Sequence, residues 1–379
     1  MAAEVAASAG HVVSVYDQHR SPARKFVLAG RGGLNITHSE PFDDFLDRYG
    51  PERQHVEPAI RGFSPDDLRS WCEELGHPTF VGSSGRVFPE EFRAVPVLRS
   101  WLRRLEELGV TFRPQHSWLG WDGDALQFVA PDGPLAVDAD RTVLALGGAS
   151  WPRVGSDGSW TAILADRGVE VEALRSANCG VNVEWSRVMV DKFAGEPLKN
   201  VSVVVDGEAV RGDPIVTTTG LEGGPIYAHS RRIRERLDAG ANIIEIDLMP
   251  DRDFDSLEQL LSSKQKKGDS TAKWFRNCGI SPVASSLMRE ATGNDLPKDA
   301  AEVAELAKAV PITITAMAGI DRAISSAGGV AWSEVDEGLQ LNKLPNVHVV
   351  GEMLNWEAPT GGYLLQACFS TAHHAAAGM

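Results

Sequence analysis

The stretch GEMLNWEAPTGGYLLQACF, residues 351–369, decides how this chain reads. The apolar run Val347-His348-Val349-Val350 in front of it has the character of a buried strand, and Gly351-Glu352 closes that strand. Pro359-Thr360-Gly361-Gly362-Tyr363 then opens a helix. The first turn of a helix has N–H groups with no partner inside the helix and carries about half a positive charge. With Gly361 and Gly362 there instead of side chains, such a turn holds an anionic group directly against the backbone. Glu352, one strand end away, is placed to accept hydroxyl hydrogens or, through water, to reach a phosphate. An ordinary capped helix is the plainer alternative.

Working outward, more glycine-stripped strand ends appear. The segment ALGGAS, residues 145–150, ends an apolar run in Gly147-Gly148. In open parallel sheets ligands sit beyond the carboxyl ends of the strands, so bare backbone there lets a flat ring or a diphosphate approach. Near the front, Ala2, Ala3, Val5, Ala6 and Ala9 read as a helix closed by Gly10. His11–Asp17 then reads as a short buried strand ending in an acid. This is the second half of a βαβ unit, and an acid at the position of Asp17 accepts both hydroxyls of an adenosine ribose. An Asp that closes a strand also serves as a plain turn residue. Gly30-Arg31-Gly32-Gly33 follows, with Lys25 before it and Asn35 and Thr37 after it as donors. Successive N–H groups in such a loop form a nest for phosphate, to which Lys25 and Arg31 add positive charge; a loop without a ligand is the alternative. The N1–C2=O edge of a reduced flavin is one instance of an anionic group that a helix opening of this kind stabilises.

Length and composition set the frame. The 379 residues predict two or three domains, and 37 Lys+Arg against 52 Asp+Glu give a net charge of −15. A surface this acidic repels phosphate backbones and anionic headgroups, so nucleic acid and membrane are not expected partners and a small-molecule substrate is. No apolar run approaches the roughly 18 residues of a spanning helix. The first ten residues, MAAEVAASAG, lack the basic start of a secretory signal. Cys72, Cys179, Cys278 and Cys368 form no CxxC pair, which fits a reducing cytoplasm and gives no zinc site or redox dithiol. Cys179 and Cys368 read as buried structural thiols, and His373-His374 as solvated. No metal site is expected, and no HExxH, GxSxG or GxxxxGKS motif occurs.

The rest of the chain gives the architecture. One helix begins at Ser64-Pro65, and another carries Val97, Leu98, Trp101, Leu102, Leu105 and Leu108. Turn signals at Asp122-Gly123 and Asp132-Gly133 mark a small antiparallel meander. Between about residues 181 and 315, strand-like pieces and then helices read as an insertion. The expected layout is therefore α/β: residues 1–180 and 316–379 as the two parts of a nucleotide-binding domain, split by a β-rich and helical domain over 181–315.

Several longer motifs in this order resemble one family. GRGGLNITHSE (30–40), SSGRVFP (83–89), LALGGASWPRVGSDG (144–158), LKNV (198–201), TGLEGGPIYAHS (219–230), ISSAGGV (324–330) and the quoted 351–369 stretch are similar to those of the YhiN/BaiN-like bacterial flavoproteins, NAD(P)/FAD-dependent oxidoreductases. The resemblance implies an FAD-binding Rossmann-type domain of the glutathione-reductase class, split by an insertion with a β-barrel-like part and a helical part. It implies that FAD lies against the Gly30–Gly33 loop, Gly147-Gly148 and the segment from Gly351-Glu352 to Gly362. It also implies a substrate near TGLEGGPIYAHS, where Tyr227 and His229 are contacts or merely pack a helix. If NAD(P)H is the reductant, it docks transiently, since no second nucleotide fold is visible. No acid–base residue is named.

Members of that family open with a strand and a GxGPAGL-like loop that would lie before Met1. The expectation is thus a Rossmann domain without its first strand: either translation starts further upstream, or the chain is a truncated remnant that binds FAD weakly. A flavoprotein that uses FAD without net redox, such as a hydratase or transferase, is the alternative activity.

Overall fold

A computed structural model describes residues 1–30 and 32–379; the expected anion contact Arg31 lies outside the described residues. The chain divides into two compact units, one formed by residues 1–175 with 324–379 and the other by residues 176–323.

The first unit is built on parallel strand pairs. Ser14–Asp17 runs parallel to Thr111–Pro114, with Ser14 opposite Thr111 and Asp17 opposite Pro114. Thr142–Leu144 runs parallel to Val347–Val349, pairing residues from opposite ends of the sequence. Parallel neighbours need long crossovers, and helices such as Ala94–Glu107 supply them. The first strand is shorter than its apolar sequence suggests: the ladder starts at Ser14, not His11, and Val12 is fully exposed. The helix Ala2–Ser8 ends in a turn at Gly10, and of the following segment only the Val13 carbonyl is drawn into the ladder, accepting from Thr111 N–H.

The meander is present as the turn signals indicated. Ser117–Asp122, Ala125–Ala130 and Gly133–Val137 form a three-stranded antiparallel sheet, with a bulge between Trp118 and Gly120. Gly120 takes φ +104 there, a left-handed value that L-residues avoid.

Two cores hold this unit. Phe45, Tyr49, Trp160, Leu164, Val349 and Met353 belong to one, and the last helix, Tyr363–Ala377, lies on it. The small residues Ala367, Ser370, Thr371 and Ala375 on its buried face let the helix approach Arg53–Gly62 closely. Where that partner helix ends, Gln366 Nε2 (2.9 Å) and Ser370 Oγ (2.7 Å) both donate to the otherwise orphaned Phe63 carbonyl. His373 stacks on Phe63 at 4.9 Å between ring centroids, and His374 Nε2 bonds the Glu337 carbonyl at 2.7 Å. Neither histidine is the freely solvated side chain its position near the chain end suggested, because the last helix carries both onto neighbouring segments.

The second core packs Leu68, Trp71 and Cys72 of helix Pro65–Glu74 against Val97 of Ala94–Glu107. Ser64 and Asp67 form a reciprocal capping box at the start of the former. The Ala2–Ser8 helix is fixed to this core through Glu4, which is 8% exposed. Its carboxylate accepts from the Trp71 indole (3.1 Å), the Trp101 indole (2.6 Å) and the Arg104 guanidinium (3.1 Å).

The second unit holds two antiparallel four-stranded sheets. One runs in the order Glu208–Gly212, Val201–Val205, Ile243–Asp247, Val310–Thr313; the other Ile215–Val216, Gly220–Glu222, Val181–Asn182, Ala316–Met317. Val201, Val203 and Val205 alternate into the core, as the period of a strand requires. Helices Phe254–Lys264, Thr271–Asn277, Pro282–Ala291 and Ala300–Lys308 follow, capped by Asp253, Ser270, Ser281 and Asp299. No helix among the described residues is long and apolar enough to cross a membrane.

Candidate functional site

The parallel pair Thr142–Leu144 and Val347–Val349 brings two of the expected places to one sheet edge. Both strands point the same way, so Gly147-Gly148 and Gly351-Glu352 leave the sheet side by side, tied by Val350 N–H to the Leu144 carbonyl at 3.1 Å. Gly351 has φ +67; its N–H donates to Thr371 Oγ1 (3.0 Å) and its carbonyl accepts from the Trp356 indole (2.8 Å). A side chain on Gly351 would make only ordinary contact with Cys368 Sγ, so the left-handed φ is what favours glycine there. Burial pushes the Cys368 thiol up to about 12, and the nearby Glu352 carboxylate adds to this, so the thiol stays protonated and unreactive.

Lys25 and Glu352 join the glycine loop to that strand end with a 2.8 Å ion pair. A second link lies at the start of the last helix. Gly361 has φ +139 and Gly362 φ +101, and a Cβ on Gly362 would sit 2.6 Å from backbone atoms of Thr37. The strand after the glycine loop therefore crosses directly against the helix opening, and only glycine permits it. Thr360 is half-buried just ahead of this turn.

Behind the crossing Tyr363, expected from the sequence as a cofactor contact, joins a cluster whose other members sequence reading did not find. Tyr363 OH donates to Glu40 Oε1 at 2.5 Å, and Arg48 donates to the same carboxylate at 2.6 and 3.2 Å. His38 stacks on the Tyr363 ring at 5.5 Å, and its Nδ1 accepts from Glu40 N–H at 3.2 Å. Its Nε2 lies 2.9 Å from the Ser84 carbonyl, a contact that makes Nε2 the protonated nitrogen. Tyr49 OH donates to the Tyr363 carbonyl at 2.8 Å. Burial pushes the Tyr363 phenol well up, and the Glu40 carboxylate pushes it further. Burial alone would raise the Glu40 carboxyl, but the bonds from Arg48 and Tyr363 outweigh it and hold that group below the usual range. Tyr363 is thus a fixed neutral donor that orients the first turn of the helix; losing its proton beside a carboxylate is unfavourable. The sequence signal was THSE at residues 37–40, but its partners Arg48 and Tyr363 are set only by tertiary structure.

A consequence is measurable in acid. A carboxyl lowered in the fold stabilises it above the ordinary value of 4.5, and that contribution is lost as pH falls through the folded value. Wild type is expected to melt higher than Glu40→Gln at neutral pH, with the gap closing below pH 4.5. A gap that stays constant down the acid limb would refute the assignment.

The remaining expected residues are placed as follows. Asp17 closes its strand, and its Oδ1 accepts His19 N–H at 2.7 Å. Gln18 Nε2 reaches the Gly155 carbonyl at 3.3 Å, which links this end to the turn after Gly147-Gly148. The bareness of Gly147 and Gly148 is explained by the chain itself, since added side chains would meet Ser156 and Ser326. Trp160 Nε1 and Ser156 Oγ, each at 2.8 Å, occupy the Gly147 and Gly148 carbonyls. Gly30 lies against Ala94, and Gly33 lies under the Phe92 ring. Of the loop's three glycines only Gly32 has nothing within 4 Å of an added side chain. Asn35 Nδ2 is bonded to the carbonyls of Thr37 (2.8 Å) and Val87 (3.0 Å), so it shapes the loop. Of the candidate substrate contacts, His229 is 1% exposed with Nε2 on the Val203 carbonyl at 3.1 Å, and Tyr227 is half-buried.

Whether this region suits a dinucleotide can be judged from polar atoms that the protein leaves unsatisfied. Glu352 Oε1, Thr37 Oγ1 and His19 Nε2 are buried with no hydrogen-bond partner. One lies at the strand end, one at the helix opening and one beside the Gly155 turn. Leaving such a group unpaired costs about 1–3 kcal/mol, so hydroxyl, amide and phosphate groups at these places would relieve it. The helix opening adds N–H donors for an anionic edge. The residues present fit FAD. Among the described residues no group of His, Cys, Asp and Glu could hold a metal ion.

Comparison with known proteins identifies the family. Residues 1–378 match the family described as HI0933-like protein Rossmann domain. A 3-dehydro-bile acid delta(4,6)-reductase of Clostridium scindens is 24% identical over 95% of this chain and 91% of its own length. The ribosomal RNA dihydrouridine synthase of Escherichia coli is 22% identical over 97% and 92%. Among solved structures, the 3-ketosteroid-delta4-(5alpha)-dehydrogenase of Rhodococcus jostii superposes with a TM-score of 0.51 at 15% identity, covering 99% of this chain and 92% of that one. At that identity the likeness speaks for the fold alone. Matched over residues 1–378, and carrying the glycine-lined strand ends and helix opening that suit FAD, the chain belongs to the HI0933-like family, the FAD-binding Rossmann-fold oxidoreductases.

Proposed function

We propose that this enzyme reduces a carbon–carbon double bond conjugated to a carbonyl in a small molecule, with NAD(P)H as a transient reductant. The reading is supported by the names of the two relatives, a delta(4,6)-reductase of a 3-dehydro compound and a dihydrouridine synthase. Their substrates differ in size, but both names describe saturating a double bond next to a carbonyl. The net charge of −15 favours the small molecule over RNA, because an acidic surface repels the phosphate backbone. The free cysteines suit a reducing compartment, the cytoplasm.

Bound FAD supplies the hydride chemistry, and the protein supplies binding, orientation and electrostatics. Gly361-Gly362 and the first turn of the last helix would hold the anionic edge of the ring system. Glu352, already paired with Lys25, would accept a hydroxyl of the side chain through its free oxygen. Thr37, Gly32, Asp17 and His19 would serve the remaining polar groups. Glu40, Arg48 and Tyr363 keep the helix opening in place. The reading is carried by the Lys25–Glu352 pair and the Thr37–Gly362 crossing, each of which holds an unsatisfied buried oxygen.

The test is anaerobic. FAD-loaded protein is expected to lose its flavin colour on mixing with NADH or NADPH, and to regain it with a conjugated enone such as 4-androstene-3,17-dione. The product should gain two hydrogens by mass spectrometry. Colour that persists under both nucleotides, or a product that gains water instead, would overturn the proposal.

A further inference from the structure

The second unit carries a cleft of about 310 Å³ between helices Arg187–Phe193, Thr271–Asn277 and Pro282–Ala291. Its volume is at the lower end of the range for small-molecule sites, about 300–1,000 Å³. Lys192, Arg276 and Arg289 line it, and no Asp or Glu does, in a chain of net charge −15. The acids next to it in sequence are engaged elsewhere: Asp191 with Arg187 at 3.2 Å, and Glu290 with Ser186 Oγ at 2.6 Å. The side chains of Lys192 and Arg276 have no ion-pair or hydrogen-bond partner among the described residues, while that of Arg289 donates one bond, to Asn294 at 3.1 Å.

A more enclosed polar group faces the same cleft. Ser286 is 7% exposed, lines the cleft, and its hydroxyl has no partner among the described residues. Its oxygen is reached by solvent, so it is open as a donor inside the cleft. The floor is apolar, formed by Phe193, Phe275 and Ile280. Unpaired cations at the rim, a free hydroxyl inside and an aromatic floor call for one kind of ligand. We propose that this cleft is a second small-molecule site, taking a compact anion such as a sulfonate or carboxylate carried on a flat apolar body. Its residues are distinct from those assigned to FAD, which all belong to the other unit.

The proposal is tested on the full chain saturated with FAD, so that the flavin site is filled and its colour reports separately on the cofactor reading. The probe is 1-anilinonaphthalene-8-sulfonate, compared with its uncharged relative N-phenyl-1-naphthylamine, each titrated by fluorescence. Saturable binding of the sulfonate is expected. Lys192→Gln combined with Arg276→Gln should weaken it by about tenfold, the combined effect of two exposed charges, and leave the uncharged compound within about twofold. Both side chains are exposed and unpartnered, so the variant should fold; Ser286→Ala gives an independent loss of sulfonate affinity. Absence of saturable binding, a loss below about threefold, or an equal loss for the uncharged compound overturns the proposal.

Discussion

Gly362→Ala is expected to purify without flavin and to unfold more easily by about 2–4 kcal/mol, from left-handed strain plus a forced backbone shift. At φ +101 an L-residue is strained before any contact is counted. The new Cβ would lie 2.6 Å from the Cα, C and O of Thr37, which are main-chain atoms and cannot swing away as a side-chain tip can. Thr37 itself is held opposite Val87 in the ladder. The helix opening must therefore move off the strand, taking with it the N–H groups assigned to the anionic edge of the cofactor. Absorbance of the flavin band after gel filtration, read against total protein, measures the first effect, and a thermal melt the second. Gly224→Ala is the control, since it has ordinary φ and nothing within 4 Å. Full flavin content in Gly362→Ala would mean that the helix opening does not hold the cofactor.

Glu4→Ala is expected to remove about 3–5 kcal/mol of stability, the range for breaking a buried charged pair by deleting one partner. The loss has several parts. The Trp71 and Trp101 indole N–H groups and one Arg104 hydrogen all point at the deleted carboxylate, and none has another acceptor in view. Arg104 keeps only a 3.8 Å approach to Glu74, which is largely solvent-exposed. Glu4→Gln, which keeps an accepting oxygen but loses the charge, should fall between wild type and Glu4→Ala. Urea midpoints at neutral pH would order the three proteins. Against a typical domain stability of about 5–15 kcal/mol, a loss of this size is a large fraction of the whole. If Glu4→Ala came within about 1 kcal/mol of wild type, the anchoring of the first helix would have to lie in its apolar face.

These two residues show what the sequence discloses and what it hides. Gly362 was legible because a glycine pair after a strand and at a helix start has few other uses, and the same logic found Gly351 and the Lys25 loop. The parallel strands and the meander were legible from apolar runs and from Asp-Gly turns. Glu4 was not legible: a lone acid in an alanine-rich helix looks solvated until two tryptophans from other helices close over it. The Glu40–Tyr363 bond joins the first glycine loop to the last helix, and no local pattern announces it. Gly147 and Gly148 do lie just beyond a parallel strand, but Ser156 and Ser326 already need the space beside them. Residue type marks where backbone must be bare, whereas tertiary packing decides which neighbour uses the bareness.

The strand pair Thr142–Leu144 with Val347–Val349 also constrains the order in which the protein is made. Residues 176–323 form one continuous unit and can begin folding while still attached to the ribosome. The Rossmann unit cannot be completed then, because one strand of that pair and the helix opening beside it are synthesised after residues 176–323. Its early half must wait with an unzipped sheet edge, exposed to chaperones and to other chains. Cofactor capture on this account waits for the segment carrying Val347–Val349 and Gly362, and a ribosome stalled before it leaves the inserted unit folded and the flavin unbound.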